Sequence, residues 1–377
     1  MSEYSLHEFR TVNRTLTRAE QAEIDTWSSR SDATPTGAKF IYHYGSFKHD
    51  PEKCLLGYFD MMLHYTNYGC SRIMFRFPKN LVDFKAMRQY EYDEEGDYEH
   101  SIKVRQKGEY VLVDIEENME EGYDEWIECE NTLGSITPLW TDIVNGDYRC
   151  LYLAWIHFTQ CALENEILED DLEEPPVPAG LKKLTAALSD FTGFWAIPDD
   201  LITVASKASP AQAVIQLDIK KAISLLSDDE KAAFLLQLAQ DEPQVKSLLI
   251  KRLEVLSGTT PPQYNTSKRA IQDIADLQTQ ERQLRVQLEK EAAELKRRTE
   301  LQNMVKRESK MWAEVYQNLD LKIGSSYDNA VKSLVDLKDV ADFQDKGVDF
   351  KIKLENILRD YGKSVAFKNR LSKVKLI

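Results

Sequence analysis

No proline or glycine occurs between residues 267 and 319. A run of that length without a breaker fits one extended helix, because these two residues most strongly interrupt helices. Ile274, Leu277, Leu284, Leu288 and Leu295 fall on one heptad seam, while Glu281, Glu291 and Arg298 interrupt it. A regular coiled coil wants apolar residues at nearly every seam position. The spacing predicts a long, polar, partly exposed helix over 267–321, a weak coiled coil able to pair with itself or with a partner.

The rest of the chain is organised around that helix. Residues 1–167 are expected to form an α+β recognition domain. Residues 39–44 read as a strand, and Asp50-Pro51 as the cap and first position of a helix over 51–66. Residues 72–77 alternate charge with apolar bulk and read as a second strand, giving a strand–helix–strand crossover. Residues 101–106 and 110–115 read as a β-hairpin around Lys107-Gly108. Helices are expected near 133–144 and 147–163. An acidic, proline-rich linker is expected over 168–180, extended and poorly packed. A small helical bundle then covers 181–257, where Ser227 and Glu230 have capping-box spacing. A second linker spans 258–266. A helical hairpin with a basic tail closes the chain over 325–377. The predicted class is thus an α+β N-terminal domain followed by all-α regions: a small bundle, a long helix and a C-terminal helical hairpin.

Composition limits the function classes. The chain has 377 residues and a net charge of −15. No apolar run approaches the ~20 residues that a membrane helix needs. The opening residues lack a basic segment followed by an apolar one, so no secretory signal is expected. Five scattered cysteines argue against a disulfide framework and for a cytoplasmic setting. Residues 91–130 carry sixteen acidic against three basic residues, whereas residues 346–377 carry nine basic against three acidic. Such a total disfavours wholesale nucleic-acid binding, which depends on clustered cations. It leaves a local version at Lys363, Lys368, Arg370, Lys373 and Lys375.

Candidate chemistry is sparse. Asp60 and His64, four residues apart, could share a helix face and form with His43 a composite enzymatic site in the N-terminal domain, but no recognised metal spacing accompanies them, and no metal or other cofactor is expected. Cys54, Cys70 and Cys161 lack a local base and oxyanion site and read as core cysteines. Tyr92, Tyr98, Tyr123 and Trp126, set among acids, suit a protein partner rich in arginine or lysine. Together with Leu284, Leu288 and Leu295 they make up the expected partner-binding set.

Five segments carry a resemblance. They are Tyr42-His43-Tyr44-Gly45-Ser46-Phe47-Lys48-His49-Asp50-Pro51, Thr66-Asn67-Tyr68-Gly69, Met74-Phe75-Arg76-Phe77-Pro78, Gly146-Asp147-Tyr148-Arg149-Cys150-Leu151-Tyr152-Leu153-Ala154-Trp155 and Glu174-Pro175-Pro176-Val177-Pro178-Ala179-Gly180-Leu181. They resemble a bacterial family of uncharacterised proteins. The closing segment, from Tyr327-Asp328-Asn329-Ala330 to Phe350, resembles the C-terminal hairpin of SWIM-type zinc-finger proteins. The cysteine–histidine cluster of those fingers is missing here, so the resemblance implies no zinc and no DNA role. The expected function is a non-enzymatic interaction or scaffold protein, an accessory subunit of a bacterial complex. The alternatives are a nucleic-acid-associated factor using the basic end and an enzyme with an unrecognised N-terminal site.

Overall fold

A computed structural model describes residues 3–12, 14–93, 98–119, 131–165, 172–212, 217–240, 242, 244–258 and 263–377. Contacts divide the chain into two compact units, residues 1–282 and 283–377. The architecture is an antiparallel α+β region followed by helices.

The first unit is built on an eight-stranded sheet. Its strands are β1 (Ser5–Arg10), β2 (Ser31–Thr34), β3 (Gly37–Tyr42), β4 (Met61–Thr66), β5 (Cys70–Pro78), β6 (Tyr92–Asp93), β7 (Tyr98–Lys107) and β8 (Tyr110–Met119). Their spatial order is β2-β3-β1-β4-β5-β8-β7-β6, and every neighbouring pair is antiparallel. This corrects the crossover expectation. The helix expected over 51–66 splits into α2 (Pro51–Tyr58), which follows α1 (Arg18–Asp25), and the strand β4. Leu55, Phe59, Met62 and Leu63 have helical spacing, yet Met62 and Leu63 point to opposite, equally buried faces of a central strand. A strand covered on both sides loses its alternation and imitates a helix. Gly69, at φ +112°, turns β4 into β5. Asp50 does cap α2, accepting hydrogen bonds from the Glu52 and Lys53 amides, and the β7–β8 hairpin turns around Lys107-Gly108 as expected.

Helices cover both faces. After the short α3 (Phe84–Met87) come α4 (Thr132–Ile136), α5 (Pro138–Val144) and α6 (Arg149–Glu164). Helix α6 is buried from Arg149 to Gln160, which explains its nearly uniform apolar character. It lies between the sheet and the helices α7 (Ala186–Phe194) and α8 (Asp199–Ala208). On the opposite face, α1 and α2 cover Phe9, Phe40, Met62, Met74 and Leu112. Helices α9 (Ile219–Ser224), α10 (Asp228–Ala239) and α11 (Val245–Ser257) form a small satellite around Ala222, Leu226 and Leu253. The capping box of Ser227 and Glu230 is present.

The expectation of a poorly packed linker is also corrected, for the described residues 172–180. Glu174, Val177 and Ala179 are buried. Residues 177–178 pair with residues 264–265, and Glu173 bridges to Ala270. The Glu174 carboxylate accepts hydrogen bonds from Tyr152 at 2.5 Å and from Arg269 at 2.6 and 2.7 Å. Proline and acid content suggest an extended segment. Extended it is, but it is clasped into the unit.

Helix α12 (Ile271–Val305) spans 35 residues, about 52 Å at 1.5 Å per residue. It ends at Val305, and α13 (Glu308–Leu321) follows with Arg307 at its N-cap. In the second unit α13 packs with α14 (Gly324–Phe343), α15 (Gly347–Tyr361) and α16 (Val365–Lys373). Its core contains Trp312, Val315, Leu334, Phe350, Ile357, Phe367 and Leu371. The hairpin of α14 and α15 is as expected, but the basic tail is a third packed helix, because Phe367 and Leu371 are fully buried.

Candidate functional site

Three arrangements concentrate chemistry-bearing side chains. The first is a row across the sheet on the face that also carries Phe9 and Met62. In register, His7 of β1 faces His64 of β4, His64 faces Arg72 of β5, and Arg72 faces Glu116 of β8. The imidazoles of His7 and His64 stack at 3.9 Å. Arg72 grips Asp114 through two hydrogen bonds of 2.8 and 2.7 Å, and Arg105 joins Asp114 to Glu52 at 2.9 Å each. Burial, then the neighbouring His64 and Arg72, lowers the His7 pKa to about 2. Burial and Arg72 lower that of His64 to about 4. Both rings are therefore neutral at pH 7. The Sγ of Cys70 lies 3.5 Å from His64 Nδ1, but burial pushes the thiol up to about 12, so it is not an activated nucleophile. Burial does the same to Cys54.

The constellation of His43, Asp60 and His64 is not assembled as expected. Four residues along a strand separate Asp60 from His64 by ~13 Å, not by one helical turn. Asp60 is committed to Arg76 at 2.7 Å and to the Val12 amide at 2.8 Å. His43 packs on Tyr4.

The second arrangement lies on the other sheet face, against α6. His100 Nε2 is 3.2 Å from Glu117 Oε1, and Cys161 Sγ is 3.8 Å from His157 Nδ1. Burial lowers the His157 pKa to about 4 despite Glu117. His100 also packs on Phe158, and Phe158 packs edge-on against Trp195, so this group reads as a satisfied core polar cluster. Among the described residues no group of three or more histidine, cysteine, aspartate or glutamate side chains is placed to hold a metal ion.

The third arrangement is α12. Every residue from 282 to 300 is exposed. Leu284, Leu288 and Leu295 are 49%, 55% and 67% exposed. At 3.6 residues per turn they lie within an arc of roughly 40°. Arg297 and Met304 lie on roughly the opposite side of the helix. Within the second unit that opposite side faces the bundle: Arg297 pairs with Asp339, and Met304 packs on the core. The leucines thus form a stripe facing away from their own bundle.

The remaining expected residues are dispersed. Tyr92 sits half-buried in the edge strand β6, and Tyr98 lies in β7 opposite Met119. Tyr123 and Trp126 lie outside the described residues. Lys363, Lys368, Lys373 and Lys375 are exposed on or beside α16. Arg370 is tied to Asp328 at 2.6 Å, so part of that basic character is spent within the bundle. Sequence reasoning missed the row of His7, His64, Arg72 and Glu116, since β1 and β4 were not recognised as strands. No helix among the described residues is long and apolar enough to cross a membrane. No protein-family model, curated protein or solved structure matches the chain.

Proposed function

We propose that this chain is a non-enzymatic interaction protein of the bacterial cytoplasm, an accessory subunit that docks a protein partner on α12. The observation that carries this role is the stripe of Leu284, Leu288 and Leu295, exposed on a helix whose opposite side is already used. An isolated exposed leucine needs no explanation, but three aligned on one helix face match the anchors of helix-mediated recognition. The flanking polar residues keep the free chain in solution.

The test replaces Leu284, Leu288 and Leu295 together by lysine in the full chain. All three are exposed, so the circular dichroism spectrum should be unchanged. Tagged wild-type chain in extract of the native host should retain a partner that the triple variant loses. Equal recovery by both chains would dismiss the stripe as the docking surface.

A further inference from the structure

We infer that the partner seated on the leucine stripe is a second copy of this chain, with the two α12 helices antiparallel and Leu284 of each opposite Leu295 of the other. The inference rests on the docking role proposed above and adds the identity and direction of the partner.

Charge placement on the helix chooses the direction. The seam reads Glu281, Leu284, Leu288, Glu291, Leu295 and Arg298. A parallel pairing in register sets Glu281 against Glu281, Glu291 against Glu291 and Arg298 against Arg298. Like charges placed face to face oppose association and select against that geometry. Reversing one helix with Leu284 opposite Leu295 removes all three clashes. Glu281 then faces Arg298 at each end, two Leu284–Leu295 contacts flank the centre, and at the centre Leu288 of each chain lies opposite Glu291 of the other, with the two Leu288 positions ~4.5 Å apart along the axis. Glu281 already pairs with Lys207 in its own unit, and a carboxylate has the acceptor capacity to take Arg298 as well. Sliding the pair by one heptad, so that Leu284 meets Leu288, places Glu281 against Glu291 and restores a like-charge contact at both ends. The antiparallel arrangement is isologous, so it closes at two chains.

Light scattering on the purified full chain over a concentration series should show the mass rising from one chain towards two. The triple lysine variant should stay at one chain throughout. Direction is read from two variants, Leu284→Cys and Leu295→Cys, oxidised separately and mixed, with the native chain as background. The mixture should give a covalent dimer and neither variant alone should. In the antiparallel pair, two copies of position 284 are eleven residues apart along the axis, ~16 Å, too far for a disulfide. A dimer from Leu284→Cys alone would mean parallel helices and overturn the inference, as would a one-chain mass at every concentration. If the purified chain stays single while host extract still yields a stripe-dependent partner, self-pairing fails and the docking role stands. If both fail, both are wrong.

Discussion

His7 and His64 face each other across two neighbouring strands with no room for charge. Both imidazoles, and that of His157, titrate below the ordinary histidine range because burial penalises the cation. The sign of the linkage follows. The folded-state pKa values, about 4 for His64 and His157 and about 2 for His7, lie below the unfolded value near 6.5. Below pH 6.5 the unfolded chain binds protons that the folded chain refuses, so stability declines as pH falls from about 6.5 to about 4, with the His7 contribution continuing towards 2. Urea midpoints should therefore drop between pH 7 and pH 5. The variant His64→Gln should show a shallower drop over that interval. An unchanged slope would mean that His64 is not held neutral by its surroundings.

At the scale of elements, the clasp of Glu174 decides where α12 begins. Its carboxylate is fully buried and holds both Tyr152 and Arg269, two residues before the helix starts. Replacing Glu174 with alanine strands the Arg269 charge in a half-buried place and should cost about 3 kcal/mol. Hydrogen exchange should accelerate in residues 271–278, read by mass spectrometry. Unaltered exchange there would show that the clasp does not anchor the helix. This clasp was not legible in the sequence, because Glu174 stands in a run of acids and prolines that reads as solvated linker. Strand β4 was hidden for a related reason: with both faces covered, Met61 to Tyr65 carry no alternation. What could be read was whatever depends on local chemistry. The Asp50 cap, the Ser227 capping box, the hairpin turn at Gly108 and the long helix each follow from a few adjacent residues. The leucines of the candidate site were equally visible, since they lie on one helix. The polar row on the sheet was not, because strand register brings together His7 and Glu116, residues far apart in the chain.

At the scale of the molecule, each compact unit has its own core, one around the sheet and α6, the other around Trp312, Leu334 and Ile357. Neither core uses Leu284, Leu288 or Leu295, and this is the central point. Apolar side chains aligned on an exposed helix contribute nothing to the stability of the isolated chain until another surface covers them. The most direct measurement places a photo-activatable crosslinking residue at Leu288, or at Lys290 on the far side of the same helix, and illuminates living cells of the native host. The docking role predicts a discrete covalent adduct from position 288 and none from position 290. Silence at both positions, or equal adducts from both, would contradict it.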